Sequence, residues 1–501
     1  DIFDYCVGLI DECYEALPLR IENPTADMGR LTRPAALAIK AKMLAYAASP
    51  FYNGNTAYAG FLNADGEPYF SQTKDIAKWE LAAEACREAI SCAEEAGHEL
   101  YEYHNTSSYN LSDEMQLELT NRCKITERWT QELLFAVGGN GIRDLQVLSQ
   151  PWLEANYSAD DRYGNAKNGT VAPTLAVAET FYTKNGVPIN EDKEWDYSAR
   201  YETRQATEAE KYYIQPNYTT AKLHFDREPR FYATIGYDGA EWGRPRAADG
   251  AVFDATPLGN LQFGYYELSS GGSEVDAIQS VDDDNNAIKK QKFQGMVGVD
   301  TRMSNIENWN GTYTGYLEKK LIDGTVAATE HNFQTNPMPY IRLAEMYLIA
   351  AEACIELNKL DEAVTYLDAI RSRIGRPDTT ATLTVRGKAF NQNDLREFMR
   401  HERRVELAYE QSRYYDLRRW MTAPEAGNKK LTGITIVGRL KPGKTATLPY
   451  VHDEEVYDYT WTVLNLNYIE KRKWDNKMYF APIKLEETLR NPAIIQNPYY
   501  E

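Results

Sequence analysis

Hydrophobic residues in the first hundred positions recur with the spacing of amphipathic helices. In "DIFDYCVGLIDECYEALP" (1–18), the residues on one face are Ile2, Tyr5, Cys6, Leu9, Ile10, Cys13 and Leu17. The stretch 30–49 is rich in alanine, with a threonine placed to cap a helix and a proline in its first turn. A third block, 75–97, closes on Gly97, the residue type preferred just after a helix. The pattern therefore predicts three helices.

The same spacing returns near the other end of the chain as two pairs of helices. The first pair is 337–358 with 359–375, and the second is 391–411 with 412–420. Small and medium apolar residues recur where paired helices would cross closely, namely Tyr347, Ala350, Ala351, Leu357, Ala363 and Leu367. This arrangement is typical of tetratricopeptide-like hairpins, which must stack on neighbours to bury their faces.

Two long stretches lack helical periodicity. Residues 98–337 carry turn-forming residues, most of the tryptophans and short β-like runs such as "RFYATIGY", and residues 422–470 are also irregular. We therefore predict a mainly α-helical fold, in which tetratricopeptide-like hairpins form a scaffold for long, aromatic-rich loops and a few short strands. The predicted regions are a helical scaffold over 1–97, a ligand-facing insert over 98–337, and further hairpins over 338–501. Loops of such length commonly carry function.

The net charge of the chain makes some classes of binding partner unfavourable. The 501-residue chain has a formal net charge of −19, so nucleic acid and anionic lipid surfaces are disfavoured as partners. The sequence contains no run of about 18 apolar residues, the length needed to cross a bilayer. The helical spacing of hydrophobic residues is present from residue 1, and a natural chain seldom begins within a core-facing helix. We therefore expect a leading segment ahead of it.

Motifs for catalysis or metal binding are missing. The six histidines are scattered without HxH or HExxH spacing, and there is no GxSxG elbow, P-loop or GxGxxG. The six cysteines form no CxxC pair, and with 74 acidic residues a carboxylate pair says little about glycoside hydrolysis. We predict no cofactor. Asp282–Asn286 could hold calcium, but an ordinary solvated acidic turn is favoured because the stretch lacks the glycine and final glutamate of an EF-hand loop.

The aromatic insert suggests a ligand. Aromatic rings beside amide and carboxylate groups suit a sugar, whose C–H face stacks while its hydroxyls form hydrogen bonds. The best candidate stretch is "NWNGTYTGY", and the candidate residues are Asn308, Trp309, Asn310, Tyr313, Trp242, Trp195 and Trp152. The alternative is that each ring pins an irregular loop to the scaffold. Base stacking is a weaker interpretation because no basic groove accompanies the rings.

The stretch "RHERRVELAYEQSRYYDLRRW" (400–420) contains six arginines. Glu402, Glu406 and Glu410 form a repulsive i,i+4 stripe, and Arg403 and Arg413, three residues from Glu406 and Glu410, can offset part of this repulsion. Charges interleaved with core-type residues favour partly buried arginine–carboxylate pairs over an anion-binding groove. We predict an internal ion-pair brace formed by Arg403, Arg404, Glu406, Glu410, Arg413, Asp416 and Arg419.

Six segments in order along the chain resemble the SusD/RagB family of Bacteroidetes outer-membrane lipoproteins. They are "GRLTRPAALAIKAKMLAYAASPFYN", "APTLAVAETFYTKNGVPI", "DREPRFYATIGYDGAEW", "MPYIRLAEMYLIAAEA", the arginine-rich stretch above, and "MYFAPIKLEETLRNPAIIQNP". Together they span nearly the whole chain.

The resemblance implies a non-catalytic protein that captures glycans at the cell surface. It would be lipid-anchored on the outer membrane and would deliver an oligosaccharide to a TonB-dependent, SusC-like β-barrel. The family's lipidated cysteine lies well over a hundred residues ahead of a helix like 1–18, so neither Cys6 nor Cys13 corresponds to it. Two alternatives stay open: a helical-repeat scaffold that binds peptide or protein cargo, and a glycoside hydrolase.

Overall fold

The fold is known from a computed structural model, which describes eleven stretches of the chain. These are residues 2–105, 111–138, 141–149, 171–241, 265–266, 275–281, 287–293, 314–323, 337–445, 453–466 and 470–500.

Helices dominate the described residues. They are α1 (Ile2–Cys13), α2 (Pro24–Asp27), α3 (Arg33–Ala48), α4 (Ala77–Glu95), α5 (Asp113–Thr126), α6 (Gly141–Ser149), α7 (Leu175–Ala178), α8 (Pro229–Thr234), α9 (Leu343–Glu356), α10 (Leu360–Ser372), α11 (Thr379–Val385), α12 (Gln392–Glu406), α13 (Ser412–Arg419), α14 (Ala423–Gly427) and α15 (Leu485–Arg490). None of them is long and apolar enough to cross a membrane.

The strands are short and form several small sheets. They are β1 (Leu133–Val137), β2 (Thr203–Gln205), β3 (Thr219–Ala221), β4 (Ile235–Gly236), β5 (Tyr265–Tyr266), β6 (Val275–Val281), β7 (Ala287–Phe293), β8 (Leu317–Glu318), β9 (Met338–Arg342), β10 (Thr432–Leu440) and β11 (Tyr457–Asn465). Strand β5 pairs in parallel with β10, and the pairs β1–β9, β2–β3, β4–β8, β6–β7 and β10–β11 are antiparallel.

Alanine packing joins α3, α4 and α9. These helices share one core, in which the fully buried alanines include Ala38, Ala41, Ala82, Ala89 and Ala353. Small side chains let helix backbones approach closely, since the separation of packed helices depends on the residues at the contact. A second core joins α9 to α10 and α12. The predicted scaffold of stacked helical hairpins is confirmed.

The helix predicted over 337–358 begins later than its periodicity suggests. Residues 338–342 form β9, which pairs with β1, and α9 starts only at Leu343. Pro339 explains the delay, because proline disfavours helical backbone at the residue before it and has no N–H for a helical hydrogen bond.

The stretches predicted as irregular contain more regular structure than expected. Within 98–337, α5 has ten buried residues. The β-like run "RFYATIGY" lies mainly in α8, which begins at Pro229 with its fixed helical φ angle, and only its end enters β4. Within 422–470, β10 and β11 form a nine-residue antiparallel ladder from Thr432–Asn465 to Leu440–Tyr457. Side-chain burial and strand pairing, rather than local propensity, decide these segments.

Helix α1 departs from its predicted burial. It packs mainly on α3, and none of its residues is buried. Three residues of the predicted core face, Ile2, Tyr5 and Leu9, are exposed. The amphipathic pattern therefore predicted the helix correctly but not what covers its apolar side.

Candidate ligand-binding surface and ion-pair network

A carboxylate on α12 lies at the centre of a buried ion-pair network. Glu406, 1% exposed, accepts from Lys124 Nζ at 2.7 Å and Arg373 Nη2 at 2.6 Å. Arg342 Nη2 lies 2.9 Å and Arg230 Nη1 lies 3.2 Å from the same carboxylate. Burial raises the pKa of Glu406, but these four cations outweigh it and hold the pKa well below its usual range. Glu406 is therefore a buried anion that depends on its partners.

The three glutamates of the predicted stripe are neutralised from other parts of the chain, although only Glu402 and Glu406 lie on α12 and Glu410 lies in the turn after it. Glu402 pairs with Arg230 at 2.6 Å and with Arg371 at 3.0 Å. Glu410 pairs with Arg342 at 2.6 Å and with Lys320 at 2.6 Å. The expectation that arginines three residues away offset this stripe is wrong. The guanidinium of Arg403 instead binds Asp416 at 2.7 Å and Glu345 at 2.8 Å.

A second chain of pairs links α9, α12 and α13. Arg419 contacts Asp416 at 2.9 Å and forms a bidentate ion pair with Glu352, in which both hydrogen bonds are 2.7 Å long. The indole N–H of Trp420 also donates to Glu352 at 2.6 Å. Bidentate geometry adds direction to the Coulomb attraction, so these pairs fix how α13 sits on α9.

Two predicted members of the brace lie outside this network. Among the described residues, Arg404 and Arg413 form no ion pair with a carboxylate. Burial and the nearby Arg413 lower the pKa of Arg404 to about 10. The other five predicted members, Arg403, Glu406, Glu410, Asp416 and Arg419, all form buried ion pairs.

Most of the predicted ligand-binding residues lie outside the described part of the chain. They are Trp152, Trp242, Asn308, Trp309, Asn310 and Tyr313, and the possible calcium-binding turn Asp282–Asn286 also falls there. Trp195 is described. Its indole N–H donates to the carbonyl of Phe225 at 3.3 Å, and its ring packs partly buried against the core around β3, α8 and β8. This ring anchors its loop, and a ligand contact by its exposed edge stays a prediction.

A few residues after Trp195 in the chain, an arginine packs between two tyrosine rings. The guanidinium carbon of Arg200 lies 3.8 Å from the ring centre of Tyr197 and 4.2 Å from that of Tyr201. Glu179 accepts from Arg200 at 2.8 Å and from the Tyr201 hydroxyl at 2.6 Å. We call Trp195, Tyr197, Arg200 and Tyr201 the Trp195 surface.

Within the Trp195 surface, Arg200 covers one face of the Tyr197 ring, so the rest of that ring is the part available to a sugar. Tyr197 is 37% exposed, and the neighbouring Glu194 is an exposed carboxylate that accepts from Asn185 Nδ2 at 3.1 Å. A ring face can stack on the C–H groups of a sugar, while carboxylate and amide groups take its hydroxyls. Arg200 and Glu179 carry no motif, so sequence reasoning missed them; the spacing of Tyr197 and Tyr201 around an arginine was the available signal.

Comparison with known proteins identifies the family. The sequence pattern of the SusD family matches residues 143–500, and the chain belongs to that family. Two relatives from Formosa agariphila, SusD-like protein P2 and SusD-like protein P25, are 37% identical over 86 residues and 42% identical over 79 residues. These matches cover 17% and 16% of this chain, and 17% and 14% of the respective relatives.

The similarity to a solved structure extends over almost the whole chain. The protein BT4246 superposes with a TM-score of 0.71 at 25% sequence identity. The superposition covers 99% of this chain and 76% of BT4246. The fold that the described residues adopt is therefore shared with BT4246.

Proposed function

We propose that this protein is a non-catalytic, cell-surface glycan-binding protein. Membership of the SusD family over residues 143–500 is the observation that carries this proposal. The Trp195 surface supports it, because aromatic faces beside carboxylate and amide groups suit an oligosaccharide. Trp309, with its neighbours in the insert, remains the proposed main contact.

Neither the carboxylates around α12 nor Glu318 fits the acid of a glycoside hydrolase. A hydrolase needs a carboxylic acid with a raised pKa close to a second, accessible carboxylate. Arginine and lysine partners instead hold the pKa of Glu402 and Glu406 below its usual range despite burial, and lower that of Glu410 to about 2. Burial raises the pKa of Glu318 to about 7, but this side chain is 0% exposed and cannot meet a glycan.

Delivery of the glycan would need a partner in the membrane. We propose a TonB-dependent, SusC-like β-barrel as that partner, with a lipid anchor holding the protein at the outer-membrane surface. Weak individual contacts would then gain avidity from the assembled pair. Affinity purification of the tagged protein from a native outer membrane should recover such a barrel. Recovery of the protein without one would remove the transporter from the proposal.

Binding is tested with a panel of polysaccharides in native affinity electrophoresis, followed by calorimetry on those that retard the protein. Trp309→Ala should abolish binding while the melting temperature stays nearly unchanged. Tyr499→Ala, which removes an aromatic ring that is 57% exposed, serves as the control. Tight peptide binding with no glycan binding would favour the scaffold alternative, and release of reducing sugar would favour a hydrolase.

A further inference from the structure

The helical scaffold contains a cleft of about 270 Å³. It lies between α1, α3, β9 and the turn that leads into α13. Ile39, Met43 and Ile341 give it an apolar side. Tyr340 and Tyr415 also line it, at 54% and 51% exposure. A cavity near the lower end of the usual range for ligand sites suits a ligand the size of one or two sugar rings.

A smaller polar hollow shares part of this lining. It has a volume of about 10 Å³, and the side chains around it include Arg342, Glu345, Glu410 and Ser412. Pro339, Tyr340, Glu410 and Ser412 line both cavities, so the hollow adjoins the cleft. A space of this size holds one water molecule, or one hydroxyl group in its place. The cleft thus combines exposed rings with a small polar recess.

The charges around the cleft are already paired with one another. Lys42 Nζ lies 3.1 Å from Glu345 and 5.0 Å from the ring centre of Tyr340. Glu410 is held by Arg342 and Lys320. Since neither sign of charge is left in excess, the cleft favours a neutral, hydroxyl-rich ligand over an anion or a cation. The fixed pairs also keep the polar groups in place before a ligand arrives, which lowers the entropic cost of binding.

The turn that leads into α13 forms one side of the cleft, and its backbone is strained. Tyr409 and Gln411 have φ angles of 64° and 63°, in the left-handed region that non-glycine residues seldom occupy. Lys320 Nζ holds this turn by donating to the carbonyls of Glu406 at 2.9 Å and Ala408 at 3.0 Å. Strain that surrounding contacts maintain is concentrated at ligand sites in proteins.

We propose that this scaffold cleft is a second glycan site, which takes one sugar ring. The ring packs against Tyr340 and Tyr415, and one hydroxyl enters the hollow beside Glu345 and Glu410. The inference rests on the proposed function, but it uses none of the insert residues predicted to bind glycan. An exposed aromatic side chain of a peptide is the competing occupant, and the test includes it.

The experiment measures single sugars directly. Saturation-transfer difference NMR is run with the methyl glycosides of glucose, galactose, mannose, xylose and N-acetylglucosamine, and with N-acetyltryptophanamide as the peptide probe. At least one glycoside should receive saturation. The double variant Tyr340→Ala/Tyr415→Ala, made in a protein that also carries Trp309→Ala, should weaken its binding at least tenfold relative to Trp309→Ala alone. Tyr69→Ala, which removes a ring that is 51% exposed and does not line the cleft, is the matched control.

A second variant guards against indirect effects. Ser412→Trp adds volume at the polar hollow and removes neither tyrosine ring, so it should also block the sugar while the melting temperature stays close to that of the parent. Unchanged glycoside binding in both variants overturns the cleft site and leaves the proposed function standing, provided that polysaccharides still bind. Displacement of the glycoside by N-acetyltryptophanamide, with tighter binding of the latter, overturns it in favour of peptide. Failure to bind any glycan overturns both proposals.

Discussion

Two helix contacts in this protein are built from different interactions. Helix α3 packs on α4 through apolar side chains, whereas α12 meets its surroundings largely through buried ion pairs. Alanines such as Ala41 and Ala82, both 0% exposed, fill the first contact. Buried ion pairs around Glu406 and Arg403 fill much of the second. The alanine contact depends on shape alone, whereas the ion-pair network depends on charge, hydrogen-bond direction and the presence of every partner.

The difference shows what each contact can specify. Apolar packing is roughly proportional to buried area and tolerates changes that keep volume. A buried ion pair contributes little net stability over an apolar substitute, but losing one partner is costly because the other charge is left buried. The alanine contact therefore sets how close helices lie, and the network sets which distant segments come together around α12.

Removing the central carboxylate should have the largest effect. Glu406→Ala leaves Lys124 and Arg373 without their nearest anion, so we expect a loss of about 3–5 kcal/mol in the free energy of unfolding. Urea denaturation measures it. Glu397→Ala on the same helix, 69% exposed and 3.7 Å from Lys388, should change it by less than about 1 kcal/mol. Equal losses in the two variants would show that the network is not specially sensitive to a missing partner.

Acid should destabilise the protein through buried histidines, one of which lies on α12. The ring of His401 on α12 stacks on Tyr182, and its Nε2 lies 2.7 Å from the carbonyl of Thr180. Burial lowers the pKa of His401 to about 4, from 6.5 in the unfolded chain. The unfolded state therefore binds more protons between these values, and stability falls as pH drops from about 6.5 to 4, by on the order of 3 kcal/mol.

His401→Gln should reduce the slope of that part of the pH profile, which denaturation at a series of pH values measures; His224 and His98, whose pKa burial also lowers, contribute the remainder. The carboxylates should cause a further loss of stability at lower pH. The pKa of Glu410 is lowered to about 2, so its contribution to stability is lost as pH falls from about 4.5 towards 2. A profile that keeps its full slope above pH 4 in the variant would assign the acid sensitivity to other groups.

A larger side chain in the alanine contact between α3 and α4 should lower the free energy of unfolding by less than the loss of Glu406 does. Ala82→Leu adds bulk where α4 packs against its neighbours, and we expect a loss of about 1–3 kcal/mol in the free energy of unfolding. Glu84→Leu adds a leucine to the exposed side of the same helix and is the control. If Ala82→Leu is as mild as its control, the alanine positions do not set the helix separation.

An exposed ion pair between α4 and α10 should have the smallest effect. Arg87 Nη1 lies 2.9 Å from Glu362 Oε1, with the side chains 42% and 35% exposed. A double-mutant cycle with alanine at both positions should give a coupling of about 0.2–1 kcal/mol, which falls in 1 M salt. The same cycle on Arg419 and Glu352 should give a larger coupling that salt hardly changes. Similar values for the two pairs would contradict the assigned role of burial.

Local patterns predicted the scaffold well because each helix carries its own signal. The periodicity of 391–411 predicted α12, and the arginine-rich stretch correctly suggested buried ion pairs. The identity of the partners could not be predicted. Glu406 meets Arg373, 33 residues away, and Lys124, 282 residues away, and no spacing rule connects such positions. The ladder of β10 with β11 was missed because the pairing of the two strands, rather than the pattern within either one, establishes it.

The residue types in the sequence predicted which aromatic side chains are candidates for ligand binding, but not what those side chains contact in the fold. Trp195 was chosen as an aromatic beside polar groups, and only the structure shows that its indole N–H is bound to the Phe225 carbonyl. The scaffold cleft left no local signature, because Tyr340 and Tyr415 come from separate elements. Exposure is a property of the packed molecule, so sequence alone does not distinguish a free ring from an anchored one.

The distance along the chain between Lys124 and Glu406 also has a consequence for biosynthesis. A ribosome adds about 5–20 residues per second, so the 282 positions between them take roughly a quarter of a minute to a minute. During that time the ammonium group of Lys124 has no carboxylate partner from α12. Its burial must wait until α12 has been made, so the emerging chain has to stay soluble with this part of its interior still open to water.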